Sequence, residues 1–232
     1  ADPALLEQAQ ALCSSEMVDE LWVAIQSILS APLQTNKVKE FQLGMLTRFL
    51  FSALIDADRM DSADFENPQN IPQRSLNKPD WAIPIKRLET HLQKMATISA
   101  DLPSAINHIR QDISQKCKER ACELQGIYTL SVPTGGGKTL ASLRYALHHA
   151  QSHQLDRIIF IIPYTSIIEQ NANAVRAVIE SEEDERPWVL EHHSNLEPEQ
   201  QTWRSKLVAE NWDSPIVLTT MVQFLETLFS GG

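Results

Sequence analysis

Apolar residues recur at helical spacing through the first quarter of the chain. Val18, Leu21, Trp22, Ile25, Ile28 and Leu29 repeat at three- and four-residue intervals, and Val38, Phe41, Met45, Phe49 and Ala53 do the same. Pro32 separates the two runs. Residues 1–66 are therefore expected to be helical. Residues 67–85 differ: Pro68, Pro72, Pro79 and Pro84 are four of the chain's 12 prolines, and the stretch reads as a linker. Helical spacing returns over 86–123, with a break at Asp101-Leu102-Pro103-Ser104, where Ser104 is suited to capping the next helix.

After Gly126 the period changes. Ile127 to Val132 is a short β-prone run, and Thr139 to Ala150 carries Leu140, Leu143, Leu147 and Ala150 on one helical stripe. Ile158 to Ile162 is a continuous apolar run, the pattern of a parallel strand buried on both faces. Ser166 and Glu169 form a capping-box pattern opening a helix through Ile179. Trp188 to Glu191 and Ile216 to Thr219 read as further strands. Glu199 to Glu210, with Pro198 in its first turn, and Val222 to Phe229 read as helices. Strands alternating with helices predict an α/β fold around a parallel sheet behind a helical N-terminal part.

Composition narrows the classes. The 232 residues are 43% hydrophobic and 22% charged, which excludes disorder as the main state. A net charge of −10 argues against a protein that coats nucleic acid by bulk charge, though not against a local strip that tracks a strand. Three cysteines without CxxC spacing suggest neither a disulfide framework nor a zinc site, in keeping with a cytoplasmic protein. No apolar run approaches the roughly 20 residues of a membrane span, so no membrane is expected as a partner. Ser181 to Glu185 is an acidic run of the kind that usually forms a solvated loop.

Three of only 7 glycines are consecutive, in Val132-Pro-Thr-Gly-Gly-Gly-Lys-Thr139, between an expected strand and an expected helix. That is the setting of a phosphate-binding loop. Glycines let the backbone turn N–H groups inward around phosphate oxygens, and the helix start adds positive potential. Thr134, Gly135, Gly136, Gly137, Lys138 and Thr139 are the expected nucleotide contacts. Lys138 would reach the β- and γ-phosphates, and the Thr139 hydroxyl would meet Mg²⁺, so ATP and Mg²⁺ are the implied cofactors. The generic pattern begins with glycine, whereas this chain has Val132 there; the Pro-Thr-Gly form is the variant of helicase motors. An apolar strand ending in Asp-Glu, which would hold the metal's water shell and activate the attacking water, is not found after the loop. The expectation is a piece of a longer polypeptide that binds nucleotide and turns it over poorly.

From Thr129 to Ser230 the sequence resembles the CRISPR-associated helicase–nuclease of type I interference systems. The carrying stretches, in order, begin at Ser131, Arg157, Leu190 and Trp212: SVPTGGGKTLAS, RIIFIIPYTSIIEQ, LEHHS and WDSPIVLTTMVQF. Ser52 to Asp61, SALIDADRMD, also looks like the last motif of that family's HD nuclease domain. The resemblance implies the C-terminal helices of an HD-type all-α domain over 1–66, a linker over 67–85, connecting helices over 86–126 and the first half of a RecA-like helicase domain over 127–232. It implies a superfamily 2 motor that moves 3′ to 5′ on single-stranded DNA with ATP. The motor would feed an HD nuclease and be recruited by an RNA-guided surveillance complex of Cascade type. Two readings from other classes stand beside it: a non-enzymatic docking or truncated module, and a P-loop kinase or transport ATPase.

Thr165, Ser166 and Gln170 match the family's motif after the second strand. Hydroxyls and N–H groups at a helix start suit sugar–phosphate contact, and they equally suit plain capping. Thr219 and Thr220, between a strand and a helix, carry the same two readings. Asp56, Asp58, Asp61, Asp64 and Glu66 crowd a helix end, where carboxylates face the negative end of the dipole, so either solvent or a cation compensates. Matching to the HD motif singles out Asp58 as a ligand for a divalent transition metal, with Asp56 second. His192 and His193, adjacent on or beside a strand, point to opposite faces and do not readily chelate one metal. His148 and His149 read as surface or packing. Residues 74–120 hold nine Lys/Arg against five acids, either a strand-guiding face or a solvated helix surface. Gln111, Gln115 and Gln125 are equal candidates for reading adenine.

Overall fold

The computed structural model describes residues 15–30, 35–66, 78–100, 105–184, 186–193, 212 and 214–229. Residues 67–77 of the linker expected over 67–85, the break over 101–104 and the helix expected over 199–210 lie outside them. The chain divides into two compact units between Ser75 and Leu76.

The first unit contributes α1 (Ser15–Ser30) and α2 (Asn36–Glu66), which pack on each other. Lys39 Nζ on α2 donates to the Leu29 carbonyl at 2.6 Å, satisfying a C-terminal group of α1 that has no partner within its helix. The helical spacing read from the sequence is realised, yet α1 buries none of its residues.

The second unit contains α3 (Ala82–Ala100), α4 (Ala105–Arg120), α5 (Lys138–Ser152), β1 (Ile158–Ile161), α6 (Thr165–Ile179), β2 (Val189–His192), β3 (Ile216–Thr219) and α7 (Met221–Phe229). It is the α/β architecture of a partial RecA-like helicase domain, with three parallel strands in the order β1-β3-β2. Ile158 pairs with Ile216 and Ile161 with Thr219 on one side of β3, and Val189 pairs with Ile216 on the other. All four residues of β3 are buried, as a continuous apolar run in a central strand requires. Leu143, Leu147 and Ala150 of α5 and Ile168, Ala172, Val175 and Ile179 of α6 join Ile216 and Leu218 in one core.

Helix α3 begins inside the stretch read as a linker. Trp81 explains why: it is buried, its Nε1 donates to the Leu155 carbonyl at 2.7 Å, and its ring lies 6.1 Å from that of Trp188. Asp80 caps the helix through its side chain, accepting from the Ala82 N–H at 3.1 Å. Pro84 sits in the first turn, where its missing N–H costs no helical bond.

Four expectations need correction. Ile127 to Val132 is not a strand: no ladder partner lies beside it among the described residues, and Ile127 is fully exposed. A β-prone run becomes a strand only when another strand satisfies its backbone. Among the described residues β1 lies at the edge of the sheet and is not buried on both faces, with Ile159 and Ile161 both more than a third exposed. The capping box at Ser166 does not form, because the N-cap of α6 lies two residues earlier, at Tyr164, and carries no side-chain cap. The acidic run is not simply solvated. Asp184 accepts from both terminal nitrogens of Arg87, at 2.6 and 2.7 Å, and Arg87 also donates to the Ile179 carbonyl at the end of α6. The Arg87 hydrogen bond is the main reason the Asp184 carboxyl lies below its usual range. No helix among the described residues is long and apolar enough to cross a membrane.

Candidate nucleotide site

The glycine loop runs from irregular backbone straight into α5. Gly136 N–H closes a turn on the Pro133 carbonyl at 3.0 Å. Gly135 and Gly137 take φ values of 80° and 79°, the left-handed region in which a side chain is strained. Gly136 is constrained by space instead: a Cβ there would stand 2.4 Å from Val132 Cγ1. Val132 thus fills the underside of the turn where the generic pattern has glycine, and the fit requires glycine at 136.

Gly137 is the N-cap of α5 and carries no side chain to cap it, so the first N–H groups of a 15-residue helix are left for solvent or an anion. Thr134 and Lys138 are exposed beside them, and Lys138 makes no ion pair among the described residues. Thr139 is half-buried and its hydroxyl donates to Asn171 Oδ1 of α6 at 2.9 Å. The donor set fits a polyphosphate with a hard cation. The N–H groups and Lys138 would hold the anion, and the Thr139 oxygen would hold the cation, which when bound supplies charge neutralisation.

Two participants have no signature in the sequence. Arg110 of α4, 25 residues upstream, donates from Nε to the Gly135 carbonyl at 2.8 Å, and its aliphatic stem lies 3.5 Å from where a Gly137 Cβ would stand. Asn171 is one position beyond the Gln170 singled out by motif matching. Both act across long sequence separations, and neither residue type advertises such a role.

The other candidates are dispersed. Thr165 is half-buried, and Ser166 and Gln170 are exposed near the start of α6. Thr220 caps α7, its Oγ1 accepting from the Gln223 N–H at 3.1 Å. Thr219 is fully buried and donates to the His192 carbonyl at 2.8 Å, tying the ends of β3 and β2, so its hydroxyl serves the sheet. His192 Nδ1 accepts from Trp212 Nε1 at 2.9 Å. Burial first, and the neighbouring His193 second, hold its pKa below the usual value. Asp58 is exposed on α2 of the first unit, and no group of three or more His, Cys, Asp or Glu is placed to hold a metal among the described residues.

Among the described residues, much of the basic excess over 74–120 is paired locally, while Lys86 and Lys94 of α3 are exposed. Besides Arg87 and Arg110, Lys116 pairs with Asp112, Lys118 with Glu89, Arg120 with Glu123 and Lys78 with Asp156. The strongest of these local arrangements centres on Glu89 of α3. Arg144 of α5 donates to it from Nε at 2.8 Å and Nη2 at 2.6 Å, and His148 Nε2 lies 2.9 Å away. Burial alone would raise the Glu89 pKa. Hydrogen bonds from Arg144 and His148, with the charges of Arg144 and Lys118, outweigh burial and bring it to about 2. The network locks the helix that follows the loop against α3.

Comparison with known proteins agrees with this geometry. No curated protein matches the chain. The family model of the type III restriction enzyme, res subunit, matches residues 102–228, more than half of the chain, and spans α4, the glycine loop, the sheet and α7. The chain therefore belongs to the type III restriction enzyme res-subunit family, through a helicase-type domain of superfamily 2.

Proposed function

We propose that this chain is part of an ATP-dependent DNA translocase, and that the loop Thr134 to Thr139 is its nucleotide site. The observation that carries the reading is the uncapped start of α5 behind two left-handed glycines, with Lys138 exposed at the first helical position. In this reading Thr165, Ser166, Gln170 and Thr220 contact the sugar–phosphate backbone of single-stranded DNA. The finer identity we favour is the CRISPR-associated helicase–nuclease, supported by the ordered motif set of the sequence. There Asp58 would contribute to an HD nuclease metal site, and an RNA-guided surveillance complex would deliver the DNA.

Titration of ATP with Mg²⁺ into the wild type and Lys138→Ala tests the nucleotide site. The variant is expected to bind at least about tenfold more weakly, the loss of one charge-assisted contact. Equal affinities would reject the role of the loop.

A further inference from the structure

We infer that Asn171 is a positioning residue for the nucleotide-bound cation, because it fixes the Thr139 hydroxyl as an acceptor. The inference rests on the polyphosphate reading of the loop and brings into that pocket a residue from the next helix.

The orientation follows from two hydrogen bonds. Asn171 Nδ2 donates to the Ile167 carbonyl at 2.9 Å. A carbonyl oxygen can only accept, so the NH₂ end of the amide must face Ile167. Oδ1 is thereby turned to Thr139, 2.9 Å away. An amide oxygen also only accepts, so the single proton of the Thr139 hydroxyl must point at Asn171. Anything else that meets Thr139 Oγ1 meets its lone pairs.

That polarity selects a ligand. A divalent cation takes oxygen lone pairs, whereas a phosphate oxygen needs a donor. An unrestrained threonine hydroxyl can rotate and offer its proton to a phosphate instead. Ile167 and Asn171 are four residues apart on α6, so the amide is oriented within its own helix, independently of the loop it serves. The same helix begins at Thr165, which joins the proposed strand contact and the cation ligand through one rigid segment of less than two turns.

The test measures binding of a fluorescent ADP analogue to the full chain, with Mg²⁺ and with a chelator. Wild type, Asn171→Ala, Thr139→Val, the double variant and Thr139→Ser are compared. Asn171→Ala is expected to reduce the Mg²⁺-dependent gain in affinity about three- to tenfold, with metal-free affinity held within about twofold. It should add nothing once Thr139 is valine, because its effect passes through that hydroxyl. Thr139→Ser should keep the gain. Asn171→Leu, which fills the volume of the amide, is the second variant if alanine loosens α6 by circular dichroism. An unchanged Mg²⁺-dependent gain, an equal fall in metal-free affinity, or a full effect in the Thr139→Val background would overturn the inference. Lys138→Ala separates the two levels. If it binds like wild type with and without Mg²⁺, the nucleotide reading itself is lost. If it binds weakly while Asn171→Ala binds normally, only the positioning role is lost.

Discussion

The two units use apolar residues in opposite ways. In residues 15–66 the helical stripe is regular, but Trp22, Phe41 and Phe49 stay more than half exposed. In residues 78–229 a comparable stripe on α5 and α6 closes onto a parallel sheet, and Leu143, Leu147, Ile168 and Ile179 lose all contact with solvent. Periodicity makes a helix; burial needs a second surface shaped to receive it. The nucleotide site is built in the second unit, where α5 is held by the core below and by the Glu89–Arg144 network at its side.

Substitutions should reproduce that contrast. Leu147→Ala removes a fully buried side chain beneath the helix that starts at the loop. It should cost about 3–4 kcal/mol in chemical denaturation. A loss below about 1 kcal/mol would mean the core is not packed as described.

Glu89→Gln, which leaves the Arg144 charge without its counterion, should cost about 2 kcal/mol. The wild type should show the same contribution through pH. Glu89 is held at about 2 when folded against an ordinary value near 4.5. Its stabilisation is complete above the unfolded value and is lost as pH falls from there through the folded value. Allowing for solvent screening, about 1–2 kcal/mol should disappear over that window. Glu89→Gln should lack this part of the acid dependence, and an unchanged profile would show that the pair contributes nothing.

Trp81→Phe deletes the bond to the Leu155 carbonyl while keeping most of the ring, and should cost about 1–2 kcal/mol. Trp22→Ala, on the exposed stripe of α1, should cost less than about 0.5 kcal/mol. A loss from Trp22→Ala as large as that from Leu147→Ala would erase the distinction between the units.

Local pattern revealed local structure well. The stripe Leu140 to Ala150 forms α5, Ile216 to Thr219 forms β3 with the boundaries expected, and the glycine run marks a true turn into a helix. Failures arose where the outcome depends on a distant partner. Ile127 to Val132 has β-prone residues but no neighbouring strand among the described residues. Asp184 sits in an acidic run but meets Arg87, 97 residues away in sequence. Ser166 and Glu169 have capping spacing, yet the N-cap falls two residues earlier, at Tyr164. Within the candidate site, Lys138 and Thr139 could be read directly because they adjoin the glycines. Arg110 and Asn171 could not, since only the fold carries α4 and α6 to the loop.

Amide hydrogen exchange with and without ATP and Mg²⁺ tests the central reading most directly. If the loop cradles a polyphosphate, N–H groups from Gly137 into the first turn of α5 should exchange more slowly with nucleotide bound, while α1 and α2 are unaffected. No slowing at those amides under conditions where nucleotide is bound would contradict it.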